Sequence, residues 1–324
     1  MYITPILKGI ATLIPLVKKF VMKRTGGTDS ARYCYAVWLR HLLMACENGL
    51  SVQPKIIAEI GPGDSLGIGL AALISGAEKY YAFDIFKYAN YERNIMIFDE
   101  LVELFRKKES IPNEDEFPNL KPYLKSYEFP LHILNEYYLG EFLKKESIGI
   151  IKKGLKMTSD SKESCIQYIA PWYDTKAIEE SSVDMIFSQA ALEHVEDLEK
   201  FYEMQYFWLK PGGFASHQID FKSHGITKEW NGHWKYSSFV WKLIQGSRLY
   251  SLNRKDHSVH IALLEKNNFR IICDIKIENL EGIRREQLAP EFCDISSDDL
   301  VCSGAYIQAV KVVPNNFCDD PGRV

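Results

Sequence analysis

One stretch, residues 55–85, limits the folds open to this chain more than any other. Ile56-Ile57-Ala58-Glu59-Ile60 is a short apolar run with the length and composition of a strand. It leads into Gly61-Pro62-Gly63-Asp64-Ser65, and Leu66 to Ser75 then has helical composition. A second apolar run, Tyr80 to Ile85, carries Asp84 near its end. Strand, glycine-rich turn, helix and strand together make one βαβ unit. The 324 residues, 46% hydrophobic and 25% charged, supply enough core for such a unit and its neighbours.

Downstream the alternation continues. Residues 92–108 read as a helix, and the prolines at 112, 118, 122 and 130 mark an irregular connection. Leu131 to Leu155 is helical again, followed by strands at Cys165–Ala170 and Val183–Gln189. A helix over Glu196–Leu209 ends at Lys210-Pro211-Gly212-Gly213, where the glycines read as a helix cap and turn. Phe214–Asp220, Phe269–Lys276 and Ala305–Val313 are further strands, with a helix over Ser258–Asn267. Such alternation predicts a doubly wound α/β sheet. About eighty residues between the second and third strands exceed an ordinary crossover, so a helical insertion is expected over about 86–164. Residues 1–54 read as a helical extension ahead of a domain spanning 55–324.

Composition excludes several classes. A net charge of −4 carries no basic field of the kind nucleic acid requires. Seven cysteines at 34, 46, 165, 273, 293, 302 and 318 are scattered with no C-x-x-C, which disfavours a disulfide framework or a zinc site and fits a reducing cytoplasm. No apolar run is long enough to span a bilayer. Residues 1–24 hold Lys8, Lys18, Lys19, Lys23 and Arg24 without an acid, and Ile6, Ile10, Leu13, Val17 and Phe20 form a helical stripe. That helix either packs on its own domain, the simpler reading, or rests weakly on a membrane surface.

The glycine turn admits two cofactors. A dinucleotide fold needs G-x-G-x-x-G, and Leu66 stands at the sixth position. Glu59, just before the turn, suits a cationic, phosphate-free ligand such as S-adenosylmethionine, and Asp84 at the end of the second strand can accept ribose hydroxyls. These pieces, with Ser182 to Ser188, Ala191-Leu192-Glu193-His194-Val195 and Leu209 to Gly213 in order, resemble the class I S-adenosylmethionine-dependent methyltransferases over roughly 55–313. The resemblance implies a Rossmann-like seven-stranded sheet of order 3-2-1-4-5-7-6 with strand seven antiparallel. It implies that Gly61, Pro62 and Gly63 approach the cofactor and that Glu59 anchors the turn and faces the amino-acid part. Asp84 would hold the ribose, Ile85 would lie against the adenine, and Gln189 would line the floor. Many members carry an acid after the third strand that contacts the adenine amine. Here Asp174 fills that role from a shifted position, or Trp172 and backbone replace it. The overall look is similar to methyltransferase-like proteins of bacterial surface-sugar pathways.

Methyl transfer to a hydroxyl needs a base. His217, His224 and His233 fall within 17 positions around the end of the fifth strand. His224 with Asp220 is the leading pair and His217 the next candidate. His194 reads better as a packing residue at the start of a helix. A metal on His217, Asp220 and His224 is not expected, because strand alternation places 217 and 220 on opposite faces. Trp230 and Trp234 flank His233 and suit either a sugar ring or a self-packed lid. The expected activity is methyl transfer to a small acceptor, a hydroxyl of a sugar or related metabolite. The alternatives are an NAD-dependent enzyme of the same architecture and a non-catalytic protein that binds S-adenosylmethionine.

Overall fold

The computed structural model describes residues 3–12, 27–157, 163–172, 177–247 and 251–313. Seven strands form its sheet: β1 (Ile56–Ile60), β2 (Lys79–Phe83), β3 (Ile166–Ile169), β4 (Val183–Gln189), β5 (Leu209–Asp220), β6 (Phe269–Glu278) and β7 (Cys302–Lys311). Their order is β3-β2-β1-β4-β5-β7-β6. The first five run parallel, and β7 lies antiparallel to both β5 and β6. The expected topology is therefore the observed one. The direction of the order reverses between β1 and β4, which is where ligands bind in open sheets of this kind.

The helices are α1 (Ile3–Ala11), α2 (Ala31–Glu47), α3 (Gly67–Ile74), α4 (Tyr91–Lys107), α5 (Glu136–Phe142), α6 (Lys145–Lys156), α7 (Leu198–Trp208), α8 (Ser238–Gln245), α9 (His257–Lys266) and α10 (Ser297–Val301). Side-chain oxygens start several of them: Ser30 accepts from the Tyr33 amide, Asn90 from Arg93, Asp197 from Lys200 and Asp256 from Val259.

Strand alternation sorts the core into two layers. Ile57, Tyr80, Ala82, Met185 and Phe187 pack with α2, α3, α4 and α6 on one face. Ala58, Ile60, Phe83 and Ile186 pack with α7 and α9 on the other. Helix α2 is thus part of the first layer rather than an appendage. Trp38, 1% exposed, lies against Phe187 and donates its indole N–H to Ser75 Oγ at 2.6 Å. His41 sits beside it, 2.8 Å from Ser216 Oγ on β5.

Three local expectations change. The helix expected over 131–155 breaks at Lys144, whose ψ of 151° is extended, and Ser147 Oγ takes up the exposed Glu141 carbonyl. Helices α4 and α6 both pack into the first layer, so the insertion is largely built into the crossover. Gly212, at φ 77°, lies in an irregularity inside β5 rather than in a free turn. A Cβ on Gly213 would come within 3.1 Å of the Val183 and Asp184 carbonyls, which is why the strand passes there with glycine. Of the basic N-terminal stripe, residues 13–24 lie outside the described residues.

Removing a large buried side chain leaves a cavity whose cost scales with its volume. Trp38→Ala should lower stability by about 3–5 kcal/mol in chemical denaturation, although Trp38 precedes the βαβ unit. A change under about 1 kcal/mol would show that α2 is peripheral.

Candidate active site

The first turn is built on backbone that favours glycine. Gly61 and Gly63 have φ of 71° and 72°. The Gly61 amide donates to the Phe83 carbonyl at 2.8 Å, which ties the turn to the end of β2. A Cβ on Gly61 would lie 2.7 Å from the Cβ of Ala191, beyond β4, so the turn passes hard against the neighbouring strand's exit. Pro62 and Gly63 are buried within it.

Asp84 follows β2 and closes the turn from the side. Its Oδ2 accepts from the Gly63 amide at 3.4 Å and its Oδ1 from the Ile85 amide at 2.7 Å. Burial pushes its pKa up to about 6 against these backbone donors. The Phe86 amide also steadies it, and a carboxylate held by backbone amides keeps lone pairs for further donors, as a vicinal diol provides. Ile85 beside it is half-buried. Together the glycine cradle and this carboxylate fit the nucleoside part of S-adenosylmethionine. Gln189 ends β4 with its side-chain amide donating to Gln218 Oε1 at 3.0 Å.

Glu59 is placed differently from the expectation. It is 1% exposed beneath the turn, where its carboxyl accepts from the Tyr80 hydroxyl. Burial raises its pKa to about 8. A group that is mostly protonated near pH 7 holds β1 to β2 and offers no negative charge to a cation. Asp174 lies outside the described residues, and Trp172 packs on Phe83 and Trp208.

At the exits of β4 and β5 a second group of side chains converges. Glu193 and His194 lie in a single 3-10 turn after β4, Leu192–His194. Asn253 fastens that turn: its amide donates to the Glu193 carbonyl at 2.8 Å and its side chain to the Leu192 and Val195 carbonyls at 2.7 and 2.9 Å. His224 comes from beyond β5 and is held at φ 50°, a left-handed conformation costly for a residue with a Cβ. Its Nε2 is 3.7 Å from Glu193 Oε1 and 3.8 Å from Asp220 Oδ2. The rings of His194 and His224 meet edge to face with centroids 5.2 Å apart. Burial lowers the pKa of His224, with Asp220 opposing the shift, and lowers that of His194 to about 4. Both rings are therefore neutral at pH 7. Burial, and then repulsion from Asp220, raises Glu193 well above the usual carboxylate range.

The structure thus joins Asp220 to His224, as expected, and adds Glu193 and His194. The adjacent Glu-His pair directly after a strand was the available signal. His217 goes elsewhere. It is 1% exposed, with Nδ1 2.8 Å from Ser188 Oγ and Nε2 2.7 Å from Gln205 Oε1. With both nitrogens engaged and burial lowering its pKa to about 3, it braces β4, β5 and α7 and is not a base. Trp234 is fully buried and donates to the Arg254 carbonyl at 3.0 Å, so it packs the lid rather than offering a face.

Residues 150–216 match the family described as a methyltransferase domain. That match covers about a fifth of the chain, and the 3-2-1-4-5-7-6 sheet is the one expected of a class I S-adenosylmethionine-dependent methyltransferase. Both support a methyltransferase that takes its methyl group from S-adenosylmethionine. Solved structures that align with it include an S-adenosylmethionine-dependent methyltransferase from Mesorhizobium loti, 12% identical over 85% of this chain and 98% of that one, TM-score 0.42. Another, from Methanosarcina mazei, is 14% identical over 83% and 97%, TM-score 0.42. Haemonchus contortus phosphoethanolamine N-methyltransferase 2, solved with S-adenosyl-L-methionine, is 16% identical over 85% and 53%, TM-score 0.41. No curated protein sequence matches the chain significantly.

If Asp84 is to accept both ribose hydroxyls, as the resemblance implies, it must be ionised. Below a pKa of about 6 it is protonated, so S-adenosylmethionine affinity should fall as pH drops through 6, approaching tenfold per unit. Calorimetry from pH 5 to 8 reads this directly, and Asp84→Ala should bind weakly at every pH. A flat profile in the wild type would remove Asp84 from the cofactor site.

Proposed function

We propose that the chain methylates a hydroxyl of a small acceptor, a sugar or related metabolite, which enters at the exits of β4 and β5. The observation that carries the reading is the convergence of His224 and Asp220 there, at the end of β5, two strands across from the glycine turn. S-adenosylmethionine, when bound, supplies a methyl group on a sulfonium, whose displacement leaves a neutral thioether. The chain's own residues do the rest. Glycines 61 and 63 and Asp84 hold the donor, with Ile85 and Gln189 lining its site. His224 and Asp220 meet the acceptor oxygen and carry off its proton as the new O–C bond forms and the S–C bond breaks. His224 enters neutral, which a proton-accepting pair requires.

A saccharide is favoured by the covering segment. Trp230 Nε1, His233 Nδ1 and Trp241 Nε1 are buried with no hydrogen-bond partner among the described residues. His233 contacts both Trp234 and Trp241, at centroid distances of 4.7 and 6.3 Å. Buried polar groups of this kind call for partners, and a polyol supplies them. Incubation with S-adenosylmethionine and a panel of sugars and sugar nucleotides should add one methyl group by mass spectrometry. His224→Ala and Asp220→Asn should each slow turnover by about 10²–10⁴-fold while leaving cofactor affinity intact. Full activity in both variants would overturn the assignment.

We also infer that this cytoplasmic enzyme contacts an anionic membrane surface through α1 and α8. The two helices pack through Gly9, where a Cβ would lie 2.1 Å from the Leu243 carbonyl oxygen. Together they expose Leu7, Ile10, Phe239 (73% exposed) and Leu243, with Lys8 and Lys242 among them. Apolar side chains flanked by lysines suit a headgroup boundary. No helix among the described residues is long and apolar enough to cross a membrane. The protein should float with vesicles containing phosphatidylglycerol but not with phosphatidylcholine alone. Phe239→Asp should abolish flotation, and equal binding to both vesicles would rule the contact out.

A further inference from the structure

The cluster at the exits of β4 and β5 has more ligating groups than proton transfer needs. Glu193, His194 and His224 each bring one ligand atom within 4.8 Å of the others. Glu193 is 3% exposed, and neither carboxyl oxygen makes a well-formed hydrogen bond among the described residues, only the Glu193 and Asp220 backbone amides lying near enough to steady it. A buried carboxyl with so few donors is costly to ionise and is a ready ligand for a cation. The surrounding turn is preorganised. Asn253 clamps the Glu193-His194 backbone, and His194 Nδ1 lies 3.4 Å from the Ser251 carbonyl oxygen. A backbone carbonyl at Nδ1 fixes the tautomer and orientation of the ring, as it does for metal-ligating histidines. The left-handed backbone at His224 brings the third group in from a separate element.

We propose that Glu193, His194 and His224 bind a divalent transition-metal ion. Two imidazoles and a carboxylate select a borderline ion such as Zn²⁺, Co²⁺ or Mn²⁺ over Ca²⁺ or Mg²⁺, which prefer oxygen alone. Ligand atoms about 2.0–2.2 Å from such an ion sit about 3.4 Å apart. The 3.7 Å between His224 Nε2 and Glu193 Oε1 needs only a small closure. Three protein ligands leave coordination positions open, and one takes the acceptor oxygen. This use of the ion rests on the placement of the acceptor above and divides the work of the pair. His224 becomes a ligand, the ion lowers the pKa of the bound hydroxyl, and Asp220, 3.8 Å from His224, receives the proton.

The test is direct binding to tag-free, chelator-stripped full-length protein. Titration calorimetry with ZnCl₂ and MnCl₂ should give one ion per chain, and CoCl₂ should give visible absorption of mixed nitrogen and oxygen coordination. Glu193→Gln, His194→Gln and His224→Gln should each weaken binding by about a hundredfold or more. The exposed His132→Gln should bind like wild type. Thermal melts check that the variants fold, and the rise in melting temperature that the ion gives wild type should vanish in them. No stoichiometric ion in the wild type, or variants that bind as well as it does, would overturn the proposal. These readouts need no methyl acceptor. An ion that binds without any sugar being methylated would sink the acceptor assignment and leave the metal site standing. Chelator-resistant turnover with no ion bound would do the reverse and leave His224 as the base.

Discussion

The parallel pairing of β1 with β4 is the constraint on which the rest depends. Ile57 lies opposite Met185 and Ile60 opposite Ser188, so the two strands end side by side. Each then turns away from the other, because the strand order reverses between them. The gap above their ends is where the glycine turn and the chain after β4 come together. It is narrow enough that a methyl group on Gly61 would strike Ala191. The same pairing, extended to β5 through Ser188 and His217, sets Glu193 and His194 across from Asp220 and His224. On the proposed assignment, donor site and acceptor site are neighbours because three strand ends are neighbours.

Buried polar groups in this chain do two different jobs. His217 bonds to Ser188 and Gln205 through both ring nitrogens, so it links layers of the core and burial keeps it neutral. Glu193 is equally buried, but among the described residues no side chain hydrogen-bonds its carboxyl. The contrast separates structural from functional polarity more sharply than burial alone. A satisfied polar group specifies packing, whereas an unsatisfied one at a strand exit is a place for something to bind.

Much of the fold was legible because its signals are local. The apolar runs at 56–60 and 183–189, the glycine turn and Asp84 each depend on a few adjacent residues and on the short reach of a βα turn. The break at Lys144 and helix α8 are not legible locally because helices of only two or three turns offer too few repeats to fix their ends. The site was legible only in part. Asp220 and His224 are four apart in sequence and meet as that spacing allows. Glu193, 27 residues before Asp220, joins them through strand pairing that no local pattern encodes.

The sequence by itself determined the class of fold, the cofactor turn and the carboxylate at the end of β2, because glycine dihedrals and strand alternation are properties of single residues and their neighbours. Tertiary structure alone decided which polar residues are free to act. It put His217 under α7 with both nitrogens occupied, buried Glu59 against Tyr80, and left Glu193 facing His194 and His224. Those outcomes depend on which face each helix covers and on how strands from distant parts of the chain align. Both are settled by packing across the whole sheet.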